Sequence, residues 1–541
     1  MILINSSPKD TLRAFQLLLP VWAPIGLASL KAIADREGLP AFLVDEQVER
    51  DPLALIGQHV KNLKPPYFFG LSVLTASYRR ALDTARQLKS LYPDSVVCFG
   101  GPHPTAVPHA VLEHPEVDLV VRGEGEAILP ELYRRVKSGS DLDGLAGISF
   151  RRGGQVIHGP APEPILDLDS LPRFPYHYFD PKRYDLSFVA SSRGCPYRCI
   201  FCSNRNTTGK RYRYRNNDAV MEDLELLQSQ YGRRHVGFLD DNLLVNRKRI
   251  GHLLAEIRRR GLDKKMSFAF QARGDNVDEE LLRELYATNF RSVFYGLESA
   301  SEELMKVLEK GETVEQCKQA VRLAKKIGFK VSATFLFCIP GETHADRMNC
   351  LRMSQELDID IVRFNNATPY PGTKLFEIAR EQGRLHVQGE YENFNSVSIF
   401  IENPLRKIPL SYVPPGATET EIRHDILFSY LAYFLNWHRL QKILTKKKAS
   451  EGMGWSAASG TTLWEIVKSL PGMVWLGLLM GIKFADLALG VLWGRNTKLR
   501  FREMWRLIFH PAKPPAPDAS NPPRAASSCS ISATCRWPPT P

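Results

Sequence analysis

A chain of 541 residues is too long for one ordinary domain, and its length points to about three. Hydrophobic content of 44% and charged content of 24% are those of a globular protein. The net charge of +12, much of it late in the chain, suits an anionic membrane surface or an acidic substrate; no recognition helix, zinc finger or RNA-binding motif accompanies it, so nucleic acid is not an expected partner.

Residues 1–145 alternate short apolar runs with amphipathic segments. Strands are predicted at Ile2–Asn5, Ala41–Asp45, Phe68–Val73, Ser95–Phe99 and Asp118–Val121. Helices are predicted at Ile25–Arg36, Pro52–Lys61, Ser77–Leu91, Ala106–Glu113 and Gly125–Lys137. This alternation is that of a doubly wound parallel sheet, a fold that binds ligands at the carboxyl ends of its strands. Glycines and small polar residues collect at those ends: Ser72 and Thr75, then Gly100, Gly101 and His103, then Gly123, Glu124 and Gly125. Taken singly, each reads as an ordinary turn residue. No G-x-G-x-x-G follows the first strand, so a dinucleotide site is not expected.

Residues 146–185, rich in proline and aromatics without periodicity, read as a connector. Six strand–helix units follow within 186–385. Strands are predicted at Leu186–Ala190, His235–Leu239, Ser267–Gln271, Ser292–Tyr295, Lys330–Phe337 and Ile361–Ala367, with helices between them. Six units suggest an incomplete (β/α) barrel, whose chemistry sits at the strand carboxyl ends. There the first strand is followed by Cys195, Cys199 and Cys202, spaced C-x3-C-x2-C. Three thiolates can hold three irons of a [4Fe–4S] cluster and leave the fourth open, whereas electron-carrier clusters normally have four cysteines. Zinc, the alternative, usually takes four ligands, often as two separated pairs. No second C-x2-C lies nearby, and His177 is well upstream. A disulfide is the other alternative, but no secretory signal is apparent, and nine cysteines then suit a reducing, cytoplasmic compartment. Asp240 and Asp241 end the second strand, Gln271 and Arg273 the third and Glu298 the fourth. Any one of them reads alone as a surface charge; polar groups at four successive strand ends, counting the cysteine loop, point to one site.

The cysteine spacing, with Phe201 before the last cysteine, resembles the radical S-adenosylmethionine (radical SAM) superfamily across about residues 186–385. In that family the open iron chelates SAM, and reductive cleavage gives methionine and a 5′-deoxyadenosyl radical that takes hydrogen from a substrate. The resemblance implies that Asp240 and Asp241, in Leu-Asp-Asp rather than Gly-Gly-Glu, receive the SAM amino group. It implies that Arg273, beside Gln271, pairs with the SAM carboxylate, since arginine suits planar oxyanions. Glu298 would accept from the ribose or the amine. The turn Phe337–Thr343 would meet adenine; relatives usually have glycine where Cys338 stands, and Cys338 reads as a tolerated small residue. Residues 1–145, through "APIGLASLKAIA" and "FGGPHPT…DLVVRGEGE", resemble the cobalamin-binding domain that precedes the catalytic domain in one branch of the family. That places cobalamin at Ser72, Thr75, Gly100, Gly101, His103, Gly123, Glu124 and Gly125. Many such domains ligate cobalt through a histidine after the first strand. The loop Ser6–Arg13 has none, and no histidine precedes His59, so the resemblance implies cobalt without a protein histidine beneath it. A donor such as flavodoxin or ferredoxin is implied as electron source.

Residues 386–510 read as mainly helical. Ile422–Leu444 is rich in aromatics, and Leu470–Trp493 is apolar over the length of a bilayer span, though Lys483 and Asp486 interrupt it. Arg495, Lys498, Arg500, Arg502 and Arg506, with Trp493 and Trp505, suit an anionic interface. Peripheral membrane contact, a soluble helical cap and a true span are the three readings of this stretch. Residues 511–541 are rich in proline, serine and alanine and are expected to be disordered, which makes Cys529 and Cys535 poor ligands. Removal of everything after Val387 is expected to leave cluster and cobalamin binding intact. The expected activity is that of a cobalamin-dependent radical SAM enzyme methylating carbon in an apolar, lipid- or isoprenoid-like molecule. Oxidative cyclisation, as in the anaerobic tetrapyrrole cyclase, and a cobalamin-binding sensor with a structural cluster are the alternatives.

Overall fold

Alternate side chains of the first strands enter different cores, because helices cover both faces of the sheet. Ile2 and Ile4 pack with Val44, Phe69 and Val97 on one side; Met1 and Leu3 pack with Phe68, Cys98 and Leu119 on the other. The computed structural model describes residues 1–7, 21–397, 407–436, 463–493 and 497–509, with 399, 439 and 511. Residues 8–13 of the first loop, all but residue 439 of the 437–444 end of the expected aromatic helix, Arg495, and the tail with Cys529 and Cys535 lie outside these described residues.

Five strands form the parallel part of the first sheet: β1 (Ile2–Asn5), β2 (Phe42–Asp45), β3 (Phe68–Ser72), β4 (Val96–Gly100) and β5 (Leu119–Val121). Their order is β2-β1-β3-β4-β5, so the ligand-binding switch point lies between β1 and β3. Two further strands, β6 (Ile148–Arg152) and β7 (Gln155–His158), add antiparallel to β5. They occupy the start of the expected connector and extend the sheet to seven strands. Gly153 and Gly154, both at positive φ, make their two-residue turn. The helix expected at Ala106–Glu113 is instead two short helices, Pro102–Ala106 and Pro108–Leu112. Pro108 lacks an N–H and disfavours the helical conformation at Val107, so the two cannot merge.

The second sheet is all parallel: β8 (Phe188–Val189), β11 (His235–Phe238), β12 (Ser267–Ala272), β13 (Phe290–Glu298), β14 (Lys330–Phe337) and β15 (Ile361–Asn366). Hydrogen bonding runs β8-β11-β12-β13-β14-β15 without closure between β15 and β8. A short ribbon, β9 (Ser192–Arg193) with β10 (Arg213–Tyr214), follows β8. Side chains facing the helices are large and fully buried: Phe268, Phe270, Val293, Tyr295, Val331, Phe335 and Phe337. Alternation puts Ala269, Gln271, Ser292, Gly296, Ser332 and Thr334 on the inner face. A closed barrel of eight strands fills its interior with bulky branched residues; here small and polar ones leave the interior open.

The aromatic helix, observed as Glu419–Phe434, covers the free edge of β15. Tyr430 Oη accepts from the Phe364 N–H at 3.0 Å, and Tyr433 Oη donates to the Ile359 carbonyl. Arg347, fully buried on the helix His344–Glu356, ties this cap to the barrel. It meets Asp425 at 2.6 Å, Glu421 at 2.8 Å and Glu342 at 3.2 Å. His344 Nδ1 adds a contact to Asp425 at 2.9 Å. His344, Glu421 and Asp425 lie close enough to share a metal ion, but the guanidinium already serves these carboxylates. The apolar segment forms one helix, Leu463–Leu492, longer than expected. No helix among the described residues is long and apolar enough to cross a membrane.

Arg347→Met removes the cation that three buried carboxylates share, leaving Asp425 with His344 and Glu421 with Lys498, a change that costs about 3–5 kcal/mol. Hydrogen exchange should show the amides of 419–434 losing protection while those of β1–β5 keep theirs. A second expectation concerns acid. His103 is buried, and desolvation pulls its pKa down to about 3. The unfolded chain binds that proton from its ordinary value near 6.5, so the first domain loses stability as pH falls through the window between the two values. His103→Phe should flatten that part of the acid-unfolding profile.

Candidate active site

The ribbon β9–β10 carries the cysteine loop. Gly194 sits at φ +83, where a Cβ would collide with the Arg211 carbonyl, so the turn into Cys195 requires glycine. The loop is held from two distant segments: the Ile200 N–H donates to the Leu308 carbonyl and the Ile200 carbonyl accepts from the Leu375 N–H, both at 3.0 Å. Cys195, Cys199 and Cys202 are free, partly accessible thiols. They lie close enough to influence one another electrostatically. Burial raises the Cys202 thiol to about 11, so metal binding must displace protons. Arg273 and Lys310 supply positive potential at Cys199.

The two aspartates after β11 do different things. Asp240 is fully buried and accepts from Ser191 Oγ at 2.8 Å and from Ser192 Oγ, while its Oδ2 has no partner. Burial holds its carboxyl above the usual range. Asp241 accepts from Asn204 Nδ2 at 2.5 Å, on the short helix after the cysteines, and its charge is felt at Cys195 and Cys202. Gln271 Nε2 donates to the Asp240 carbonyl at 3.3 Å. Arg273 makes two 2.9 Å contacts with Asp275 and lies 3.6 Å from the Tyr197 ring centroid. Glu298, at φ +56 beside a register shift in β13, is paired with buried Lys310 at 2.9 Å. Lys310 also approaches Glu312 at 3.5 Å. The expected SAM-binding residues thus gather around the cysteine loop, but Arg273 and Glu298 already have internal partners. Lys310, Glu312 and Tyr197 carried no signal in the sequence. Cys338 is fully buried at φ +67, a conformation that favours glycine, and its N–H donates to Glu342 at 2.8 Å. It packs as a small hydrophobe.

The carboxyl edge of the first sheet faces this loop. At Gly123, φ +72, a Cβ would meet Pro162 at 3.0 Å and the Thr207 carbonyl at 3.9 Å, and at Gly125 it would meet Leu30 at 3.2 Å. Tight packing explains both glycines. Glu124 does not face open space: it receives Arg193 at 3.0 Å, Arg213 at 2.6 Å and the Ile165 N–H at 2.9 Å. Glu126 takes the other Arg193 nitrogen at 2.6 Å. His103 is enclosed by Tyr78 and Tyr391, with Nδ1 3.3 Å from Thr75 Oγ1 and Nε2 unpartnered. Gly101, at φ +101, would press a Cβ to 3.0 Å from the Val73 carbonyl; at Gly100 the nearest atom would be 3.8 Å away. Gly100 therefore has room beside its backbone, Gly101 is confined by Val73, and Glu124 and His103 have internal neighbours. A cavity of about 380 Å³ continues along the inner face of the barrel, lined by Trp22, Ile25, Leu239, Gln271, Phe294 and Arg363.

Two family models match: the radical SAM superfamily over residues 189–353 and the B12 binding domain over residues 18–133. An uncharacterized methyltransferase of Pyrococcus horikoshii is 33% identical over 66% of this chain and 78% of its own length. The anaerobic magnesium-protoporphyrin IX monomethyl ester cyclase of Rubrivivax gelatinosus is 26% identical over 88% of this chain and 83% of its own. The hopanoid C-3 methylase of Methylococcus capsulatus is 25% identical over 66% and 69%. Among solved structures, the radical SAM methyltransferase TsrM of Kitasatospora setae superposes with a TM-score of 0.62 at 22% identity, covering 80% of this chain and 90% of that one. The chain belongs to the cobalamin-binding branch of the radical SAM enzymes. Its cofactors are accordingly a [4Fe–4S] cluster, SAM and cobalamin.

Anaerobic reconstitution should load about four irons per chain. Cys195→Ala should lose the cluster, whereas Cys338→Ala and Cys317→Ala, both at buried positions, should keep it by iron content and visible absorption. Gly100→Val should lower cobalamin content without lowering iron. Gly101→Val strains the backbone whether or not a ligand is present, and serves as the comparison for fold damage.

Proposed function

We propose that the protein methylates carbon in an apolar small molecule taken from an anionic membrane surface. The observation that carries this reading is the outer face of the C-terminal helices. On Leu463–Leu492, Leu479, Lys483 and Leu487 turn inward, while Val474, Leu478, Ile482, Leu489 and Leu492 are exposed. On Phe501–Phe509, Phe501, Trp505 and Phe509 recur every fourth residue and are about half exposed or more, with Leu507 buried opposite. Arg502 and Arg506 are exposed beside them. An apolar stripe edged by arginines suits the acyl–headgroup boundary. The named methylase relatives support the reaction type.

When bound, the cofactors supply one-electron reduction, a hydrogen-abstracting radical and a transferable methyl group. The chain's own residues prepare the place for this. The Ile200 backbone bonds fix the cysteines, Asp241 and the Glu298–Lys310 pair set charge around them, and the Arg193–Glu124 contact holds the first sheet's edge against the loop. An external one-electron donor of the flavodoxin or ferredoxin class completes the system. Oxidative cyclisation is the second reading, supported by the length over which the cyclase relative aligns.

Anaerobic incubation with membrane lipid extract and methyl-deuterated SAM separates the two. Methylation predicts a product carrying the labelled methyl; cyclisation predicts an unlabelled product of altered hydrogen count. Membrane capture is tested by flotation with anionic vesicles. Binding should fall as salt rises and fall further in Arg502→Gln/Arg506→Gln, each charge contributing on the order of 1 kcal/mol near the surface. Equal recovery of parent and variant in the vesicle-free fraction at low salt would reject the membrane reading. Truncation after Val387 is not a clean test, contrary to the sequence-based expectation, because it strips Tyr430 and Tyr433 from β15 and Asp425 from Arg347.

A further inference from the structure

Several arginines around the site are held by internal acids. Arg193 and Arg213 hold Glu124, Arg273 holds Asp275, Arg215 holds Asp223 and Arg347 holds three carboxylates. Arg363 is the arginine that lines the cleft. It projects from β15 on the inner side of the barrel, opposite Thr334 in the β14–β15 register. It lines the 380 Å³ cavity and makes no ion pair among the described residues. Its nearest aromatic contact is the Phe294 ring, 5.6 Å from the guanidinium carbon.

The remaining wall divides by chemistry. Trp22, Ile25, Leu239 and Phe294 are apolar, whereas Gln271 and Arg363 are the polar members. An open cleft of this volume accommodates a small organic ligand. The Arg363 guanidinium is exposed and has no acid partner among the described residues, so its planar donor fork is available to a ligand lying in the cleft, and that fork matches carboxylate and phosphate oxygens.

We propose that Arg363 is a recognition residue for an anionic group on the substrate, a carboxylate or a phosphate, with the substrate's apolar body lying against Trp22, Ile25, Leu239 and Phe294. The inference rests on the reading of an apolar substrate and adds the charge that substrate carries: an amphipathic organic anion rather than a neutral hydrocarbon. Gln271, on the same inner wall, is the additional donor.

The test uses full-length holoenzyme reconstituted anaerobically with cluster and cobalamin and saturated with SAM. Hexanoate, hexyl phosphate and hexanol are titrated calorimetrically, below their aggregation concentrations. At least one anion should bind about tenfold or more tighter than hexanol, the ratio expected of a charge-assisted hydrogen bond; which anion wins identifies the headgroup. Arg363→Gln should abolish the preference, and Arg363→Lys should retain part of it. Equal binding of hexanol and both anions, unchanged preference in Arg363→Gln, or loss of anion binding once cobalamin and SAM are saturating would each overturn the proposal. The last outcome would give the guanidinium to a cofactor. Vesicle flotation of Arg363→Gln should match the parent, so failure of the membrane reading and failure of this one produce different results.

Discussion

Two arginines and two glutamates across a domain boundary hold the molecule's working parts in register. Arg193 stands two residues before the first cysteine and Arg213 closes the other side of the loop; Glu124 and Glu126 come from the carboxyl edge of the N-terminal sheet. Three of the four side chains are almost wholly buried. A buried ion pair adds little net stability over an apolar substitute, but removal of one partner is costly because the other charge stays desolvated. The contact therefore acts less as glue than as registration. It forbids the two domains from sliding, since any slide strands a charge. The cysteine loop inherits that constraint at one end and the Ile200 backbone bonds at its centre.

The same economy of position appears in the barrel. Its outer face carries large aromatics packed on the helices, and its inner face carries mostly small or polar side chains, with Phe294 and Leu239 as apolar wall. The alternation that makes Phe268, Phe270, Val293 and Tyr295 core makes Ala269, Ser292 and Gly296 wall. A chamber results without any special backbone. Two of the six described non-glycine residues at positive φ, Glu298 and Cys338, lie at or just beyond strand carboxyl ends, where backbone must turn out of the sheet beside the site.

Much of this was legible in the residues. Strand positions follow from runs of two-residue period, and the cysteine loop from local spacing. Charge partners were not legible. Arg193 meets Glu124 across 69 positions and Arg213 meets it across 89; no local pattern encodes a pairing at that range. Glu124, Glu298 and Arg273 therefore read as open ligand contacts, whereas each has an internal counterion. His103 read as a turn residue offered to cobalamin, because the turn was visible and the aromatic box of Tyr78 and Tyr391 was not. The hairpin β6–β7 was within reach: Gly153-Gly154 between two alternating runs is a turn signal, obscured by the proline-rich stretch that follows.

The tyrosine contacts along β15 carry one more consequence. A barrel that stops at six strands has an unpaired margin, and the last strand's N–H and carbonyl groups would offer themselves to any passing chain. Tyr430 answers the Phe364 N–H and the Ser396 carbonyl answers that of Asn366, while Tyr433 fixes the Ile359 carbonyl just before the strand, so the margin is covered without adding a strand. A fragment cut before Thr418 would regain a raw edge able to recruit its own copies by strand addition. Insolubility of such a fragment would reflect a missing selvedge, not a failure of the barrel to fold.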